Sequence, residues 1–176
     1  MARTVLLVTA LALGAASCAM LHSSKTAKLP EMTCEEFLGL SEDVRPRAVA
    51  WLDGYSKGGK LKEQDIGEID VDRQMAALVV VCEQDPKQSF WDKIRGHLPG
   101  GSRKVKPAKL TCQEFVALDQ TVRPEVVYWA EGYNRAAKVQ QGTVGEVDLE
   151  RDVAVIVEEC KQAPTESFWA KMKTHL

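Results

Sequence analysis

The sequence predicts an all-α protein made of two tandem small domains of about four helices, each with one disulfide. Three observations predict this: an internal repeat, two cysteines at the same place in each copy, and helix signals without hairpin signals. The segment 32–98 aligns with 110–176 without a gap, and 28 of the 67 aligned positions are identical. We therefore divide the chain into a lipoprotein-type signal peptide (1–17), a flexible tether (18–31), repeat 1 (32–98), a linker (99–109) and repeat 2 (110–176).

The cysteines predict how each repeat is stabilised. A unit as short as one repeat is small for a hydrophobic core alone, and domains of that size commonly need a covalent link. The spacing between Cys34 and Cys82 is the same as that between Cys112 and Cys160. Even, repeated spacing in an exported chain indicates structural disulfides rather than redox or nucleophilic cysteines. Because closing such a loop stabilises a fold by roughly 4 kcal/mol, we expect reduction to unfold each repeat.

The N-terminus is typical of an export signal. A basic residue is followed by the apolar run Val5–Ala16, which is too short to span a bilayer as a helix. Small residues then precede Cys18, as in the lipobox of bacterial lipoproteins, although Ala15 stands where leucine or valine is usual. Since the other four cysteines pair within the repeats, Cys18 is the expected site of lipidation. The alternative is ordinary cleavage after Ala16 or Ala19.

The first two helices of each repeat have clear start signals, a capping box and a proline. These residues are Thr33, Glu36 and Pro46 in repeat 1, and Thr111, Glu114 and Pro124 in repeat 2. The second helix carries an apolar stripe at i, i+3, i+4 and i+7, formed by Ala48, Trp51, Leu52 and Tyr55 and then by Val126, Trp129, Ala130 and Tyr133. It should end at the two glycines 58–59 in repeat 1 and run longer in repeat 2, where alanines replace them.

Two shorter helices are predicted in the remainder of each repeat. In repeat 1 a third helix should run from about Val71 to Glu83 with Asp70 as its N-cap. Asp85-Pro86 should end it and cap a fourth helix that carries Phe90. The sequence has no hairpin signal, and the glycines, prolines and charges of 99–109 predict a linker long enough for the copies to fold back on each other.

Several classes of function lack support in the sequence. It has no glycine-rich phosphate loop, no metal-binding cysteine or histidine motif and no catalytic constellation, so we expect no enzyme and no cofactor or metal. His22, His97 and His175 lie far apart in the sequence. The net charge of −2 gives no reason to expect nucleic-acid binding. The tryptophans lie on inward stripes, where core packing is their expected role.

The residues around the cysteines resemble the HdeA/HdeB family of periplasmic acid-stress chaperones. In repeat 1 the resemblance rests on Thr33-Cys34-Glu35-Glu36-Phe37-Leu38, on Arg45-Pro46-Arg47-Ala48-Val49, and on the spacing from Cys34 to Cys82. In repeat 2 it rests on Thr111-Cys112-Gln113-Glu114-Phe115, on Pro124-Glu125-Val126-Val127, and on Cys160. The resemblance implies small helical domains that are folded dimers at neutral pH. Strong acid would dissociate and partly unfold them, exposing apolar surface that keeps denaturing proteins soluble.

For this chain the resemblance implies an acid-activated holdase of the periplasm whose partners are acid-denatured periplasmic proteins. Family members are typically single domains, so here the repeats are expected to pair either within one chain or between chains. The expected acid-switch residues are Glu36 and Glu114, followed by Asp70 and Asp148. The expected client-binding residues are Val44, Val49, Trp51, Tyr55, Val122, Val127, Trp129 and Tyr133. The alternative role for all of these residues is ordinary capping or core packing.

Acid would change the charge of the exported chain greatly. From Cys18 onward it has 25 carboxylates against 22 lysines and arginines and three histidines, so full protonation moves the side-chain charge from about −3 to about +25. Self-repulsion then favours expansion. The rival interpretation is a constitutive binding or scaffold module, anchored to the outer membrane through Cys18, with the same fold and no acid switch.

Overall fold

The computed structural model describes residues 26–58, 60–96, 98–138, 145–151 and 153–175. It confirms the mostly helical fold class, with eight α-helices in these residues. Repeat 1 contains α1 (Cys34–Gly39), α2 (Arg45–Lys57), α3 (Met75–Glu83) and α4 (Phe90–Ile94). Repeat 2 contains α5 (Cys112–Ala117), α6 (Val122–Lys138), α7 (Ala154–Gln162) and α8 (Phe168–Thr174).

Each repeat is closed by the predicted disulfide between its first and third helices. Cys34 is bonded to Cys82 and Cys112 to Cys160, and all four residues are fully buried. Stacked phenylalanine pairs then join the first helix of each repeat to the fourth. Their ring centroids lie 4.0 Å apart for Phe37 and Phe90 and 4.4 Å apart for Phe115 and Phe168. The two repeats thus share one small core architecture.

The predicted starts and ends of the long helices are confirmed. Pro46 lies in the first turn of α2, and the C-cap of this helix is Gly58. Helix α6 has 17 residues against 13 in α2, and three of the additional residues extend its C-terminal end, as the replacement of glycines by alanines predicts. Gly59 and His97 lie outside the described residues, as does the whole of 1–25, which includes Cys18, His22 and the segment predicted to be a signal peptide.

The predicted start of the third helix is wrong in repeat 1. Residues Ile69–Arg73 form a strand, β2, and α3 begins only at Met75, with Gln74 at its N-cap position. Ile69, Val71 and Arg73 are buried while Asp70 and Asp72 are more exposed, which is the alternation of a strand and not of a helix. Asp70 is therefore a strand residue and not a helix cap. The fourth helix is also capped differently, since the Ser89 side chain accepts from Asp92 N.

Two short antiparallel sheets, which the sequence did not predict, connect the repeats reciprocally. Strand β2 pairs with β3 (Gly101–Val105), just before repeat 2, and β1 (Thr26–Ala27), just before repeat 1, pairs with β4 (Val147–Asp148). In the alignment of the repeats, the pairing of Ala27 with Val147 corresponds to that of Val105 with Ile69. The strand that precedes each repeat thus pairs with a strand inside the other repeat.

The segments expected to be a tether and a linker are consequently ordered over much of their length. Residues 26–31 were expected to be flexible, yet they form β1 and a 3-10 helix, Leu29–Glu31, with Leu29 fully buried. The linker contains β3 and a second 3-10 helix, Pro107–Lys109. A third 3-10 helix, Glu63–Asp65, follows α2. Two of the four basic residues of the linker, Arg103 and Lys104, therefore lie on an ordered strand, where Lys104 pairs with Asp70.

The largest contact between the repeats is the crossing of α2 and α6. A Cβ atom added at Gly54 would lie 2.1 Å from the backbone oxygen of Trp129, and one added at Gly132 would lie 2.0 Å from that of Trp51. Both positions must be glycine because the helix backbones approach so closely. Since Gly54 and Gly132 are equivalent residues of the two repeats, the crossing is symmetrical about its centre. We call it the α2–α6 contact.

Candidate functional site at the contact between the repeats

The residues that the sequence suggests for client binding lie on α2 and α6 or at the start of these helices. The two aromatic pairs stack within each helix, Trp51 on Tyr55 with ring centroids 5.0 Å apart and Trp129 on Tyr133 at 5.5 Å. Tyr55 is half-buried, and the other seven are buried: Val44, Val49, Trp51, Val122, Val127, Trp129 and Tyr133. In this state of the protein, these apolar side chains are not available to a client.

A buried carboxylate of repeat 1 lies in the middle of this contact. Asp53 on α2 is 4% exposed, and its Oδ2 accepts from Arg73 at 3.2 Å and from Lys57 at 3.0 Å. The same oxygen accepts from the indole N–H of Trp129 at 3.0 Å, across the contact. A buried carboxylate is stable only when cations and donors surround it in this way. The carboxylate of Asp53 therefore links the two repeats by accepting this hydrogen bond.

Repeat 2 contains the equivalent cluster. Glu131 on α6 is 3% exposed and accepts from Arg151 at 2.6 Å, and Arg135 lies 3.5 Å away. Positions 53, 57 and 73 of repeat 1 correspond to 131, 135 and 151 of repeat 2, so the arrangement of an acid with two bases is repeated. One donor is missing from the second cluster. The indole N–H of Trp51 is buried and has no acceptor among the described residues, whereas its counterpart Trp129 bonds to Asp53.

Two further side chains cross between the repeats near the ends of the helices. Arg47 on α2 donates to the backbone oxygen of Leu149 at 2.9 Å. Its counterpart Glu125 on α6 is 5% exposed, and both its oxygens accept from the backbone N–H of Asp72 at 3.1 Å. Burial raises the pKa of Glu125 to about 7, because the ionised form loses its hydration.

The leading acid-switch candidates lie away from this contact. Glu36 and Glu114 complete the predicted capping boxes, each accepting from the backbone N–H of its threonine, Thr33 at 2.7 Å and Thr111 at 2.8 Å. The hydrogen bonds from the Thr111 backbone and hydroxyl lower the pKa of Glu114. Both glutamates are exposed to solvent. Their structural role is to stabilise the starts of α1 and α5.

The other two candidates lie in the strands that the repeats exchange. Asp70 in β2 accepts from Lys104 of β3 and from the backbone N–H of Gly101 at 3.2 Å, and the bond from Lys104 is the main reason for its lowered pKa. Asp148 in β4 accepts from the backbone N–H of Glu150 at 3.0 Å. The structure thus brings Asp70 to a junction between the repeats and leaves Glu36 and Glu114 within single repeats.

The buried charges were missed by sequence reasoning, although a signal was present. An acid at 53 and 131 and an arginine at 73 and 151 are retained in both repeats, while many surface positions differ. Retention of a charge pair at matched positions could have indicated burial, since buried acids are nearly always paired. Glu125 has no such signal because its counterpart is the oppositely charged Arg47.

No helix in the described residues is long and apolar enough to cross a membrane. Within the same residues, no group of three or more histidine, cysteine, aspartate or glutamate side chains is arranged to hold a metal ion.

The fold and the site define a small helical protein of two disulfide-closed repeats. The repeats meet at a contact that contains buried apolar side chains and buried carboxylates. The HdeA/HdeB family model matches residues 3–92 and 99–170, which is most of the chain and both repeats. The chain belongs to the HdeA/HdeB family, in a tandem form. This membership supports a chaperone role in acid stress.

Named relatives agree with this assignment. The probable acid stress chaperone HdeA of Brucella suis is 38% identical over 98 residues, covering 52% of this chain and 84% of that protein. The Brucella abortus protein of the same name is 37% identical over 87 residues, covering 46% of this chain and 76% of that protein. The acid stress chaperone HdeA of Escherichia coli is 30% identical over 64 residues, covering 36% and 58%. These relatives are named as chaperones and not as enzymes. No solved structure is significantly similar to the chain.

Proposed function

We propose that this protein is an acid-activated holdase chaperone of the bacterial periplasm, and that the α2–α6 contact covers its client-binding surface at neutral pH. The observation that carries the proposal is the burial of the apolar stripes of α2 and α6 beside three buried carboxylates, Asp53, Glu125 and Glu131. An apolar surface of this kind becomes useful to a denatured protein only when the helices separate.

Strong acid would act on Asp53 and Glu131 by removing the partners of buried cations. Once the acids are protonated, Arg73 and Arg151 keep their charge but lose their carboxylates. An unpaired charge left in a protein interior costs several kcal/mol. Repulsion among the remaining cations adds to this, so α2 and α6 are driven apart.

Asp70 and Glu114 would contribute in the same direction. Each has a pKa lowered in the folded protein, so its stabilising effect is present above the ordinary values of 3.8 and 4.5 and is lost as the pH falls through the folded value. Protonation of Asp70 weakens its bond with Lys104 in the β2–β3 sheet, and protonation of Glu114 weakens the start of α5. The window for this loss lies below about pH 4.

The covalent links would limit how far the protein opens. The two disulfides hold α1 to α3 and α5 to α7 at any pH, so each repeat keeps part of its core. The chain between the repeats keeps the copies close after they separate. Opening would then be a unimolecular step, unlike the dissociation of a dimer, and its midpoint pH would not depend on protein concentration.

The place of action that we propose is the periplasm, with acid-denatured periplasmic proteins as partners. Lipidation at Cys18 would hold the protein at the outer membrane, and the intact mass of the exported protein tests it. Because residues 26–31 form β1 and a 3-10 helix, only residues 19–25 would then separate the lipid from the ordered part of the chain.

The proposal is tested by light scattering of an aggregating client, with the oxidised mature protein present at about pH 2 or about pH 7. An unrelated disulfide-bonded protein of similar mass serves as the control. We expect suppression of aggregation in acid only. Equal suppression at both pH values would favour the rival interpretation of a constitutive binding module. Absence of suppression at both would refute the chaperone mechanism.

A further inference from the structure

Glu125 differs from the other two buried carboxylates of the contact in having no cation bonded to it. Asp53 and Glu131 each accept from an arginine, whereas the bonds of Glu125 within the described residues come from one backbone N–H, that of Asp72. Glu125 belongs to repeat 2 and Asp72 to repeat 1, so this bond also crosses between the repeats.

The backbone of Asp72, which donates this bond, has an unusual conformation. Its φ of 57° is left-handed, which no other non-glycine residue in the described part of the chain shows. The pairing of β2 with β3 includes Val71 and Arg73 but omits Asp72. The register of the two strands continues unchanged on both sides of Asp72, and the N–H of Asp72 bonds to Glu125 of α6.

The surroundings of Glu125 favour a neutral carboxyl. Burial raises its pKa to about 7, while the N–H of Asp72 and the charge of Arg73 act in the opposite direction. The carboxylate of Asp72 raises it further. Both charged residues lie on β2, and neither α2 nor α8, the other elements packed on α6, adds a charged group that acts on Glu125 within the described residues.

We propose that Glu125 is a mild-acid lock on the contact between the repeats: its buried carboxyl takes up a proton in mild acid and strengthens the contact until strong acid opens it. The opening step rests on the proposed function, but the lock does not. For an acid whose folded pKa lies above its unfolded value, stability is gained as the pH falls from about 7 towards 4.5. Asp70 and Glu114 lose stability only below that range.

The counterpart of Glu125 makes the lock one-sided. Arg47 occupies the same position in repeat 1 and donates to Leu149, and its guanidinium keeps its charge at every relevant pH. One end of the α2–α6 contact thus responds to mild acid while the other does not. The contact should be firmest in mild acid and weaker at neutral pH.

The lock is tested by urea unfolding of the wild-type protein, Glu125→Gln and Glu42→Gln at several pH values between about 8 and 5. Glutamine at 125 imitates the protonated carboxyl, and Glu42 is an exposed position that provides a matched control. For the wild type we expect Glu125 to lower the unfolding equilibrium constant by up to about tenfold per pH unit below pH 7. Glu125→Gln should be more stable than wild type at about pH 8 and should lack this dependence. Glu42→Gln should follow the pH dependence of the wild type.

A lower stability of Glu125→Gln than of wild type at about pH 8, or a parallel pH profile, would overturn the lock. If the variant does not fold, the carboxyl carbon of Glu125 can be titrated by NMR in the wild-type protein. A midpoint near 7 supports the lock, and a midpoint at or below the ordinary value refutes it. Neither measurement contains a client protein. The lock can therefore be confirmed even if the chaperone proposal fails, and the chaperone proposal can be confirmed even if the lock fails.

Discussion

Asp53 and Glu131 occupy equivalent positions of the two repeats, yet their surroundings differ. The side chain of Arg73 beside Asp53 is 3% exposed, whereas that of Arg151 beside Glu131 is 37% exposed. Asp53 also accepts from Trp129 of the other repeat, while the equivalent indole, that of Trp51, has no acceptor among the described residues.

The backbone crossing of α2 and α6 is therefore symmetrical, but the surroundings of the two buried acids are not. The charge pair of repeat 1 is buried, and its carboxylate also accepts a hydrogen bond from Trp129 of repeat 2, so it contributes to holding the repeats together. The pair of repeat 2 is partly hydrated and lies within that repeat, so it mainly stabilises repeat 2. We therefore expect neutralisation of Asp53 to weaken the contact more than neutralisation of Glu131.

The largest expected effect comes from neutralising the two acids separately. Asp53→Asn leaves Arg73 charged and buried, and we expect it to lower the free energy of unfolding by about 3 kcal/mol. Glu131→Gln leaves Arg151 partly in water, so its cost should be about 1 kcal/mol. Urea unfolding of both variants at about pH 7 measures the difference. Equal losses would contradict the asymmetry between the clusters.

An intermediate effect should follow from the two tryptophans. Trp129→Phe removes a hydrogen bond to a charged acceptor, whereas Trp51→Phe removes a buried donor without a partner. Each indole stacks on the tyrosine four positions further on, and Trp129→Phe should be more destabilising than Trp51→Phe by about 2 kcal/mol because only Trp129 loses a hydrogen bond. Thermal unfolding of the pair gives this difference directly, and the opposite order would be incompatible with the bond from Trp129 to Asp53.

The smallest effect is expected at the capping boxes. Because the pKa of Glu114 is lowered in the folded protein, Glu114→Gln should reduce stability at neutral pH slightly and make it less sensitive to acid below the ordinary value of 4.5. Glu36→Gln is the matched change in repeat 1. Circular dichroism followed from about pH 7 to about pH 2 compares them. A large shift of the acid transition in either variant would indicate that the capping-box glutamates, and not the buried acids of the contact, are the main acid switch.

Local signals explain what the sequence predicted correctly. The capping boxes, the helix prolines and the paired cysteines each depend on residues within one repeat, and the duplication doubles every such signal. Strands β2 and β3 were missed because each is short and pairs with a segment distant in the sequence. The caps predicted at Asp70 and Asp85-Pro86 failed because tertiary pairing and Ser89 replaced them.

The contact itself could not be derived from periodicity. The stripe of Trp51 and Tyr55 indicates a buried face but does not identify what covers it. The reason for Gly54 and Gly132 appears only when the two helix backbones are placed together. Likewise, an aspartate within an apolar helix looks the same in sequence whether it faces water or an arginine from a distant strand.

One double variant tests most directly whether the α2–α6 contact covers the client-binding surface. Gly54→Ala with Gly132→Ala places methyl groups against the backbones of Trp129 and Trp51, so the helices must separate even at neutral pH. Gly39→Ala is the control, because a Cβ atom at that position has no neighbour within 4 Å in the described structure.

Hydrogen exchange in α2 and α6 establishes that the contact has opened, and client light scattering at about pH 7 then measures holdase activity. We predict that the double variant suppresses aggregation at this pH while wild type and Gly39→Ala do not. A double variant with both disulfides intact and rapid exchange in α2 and α6, but no suppression of aggregation, would contradict the account.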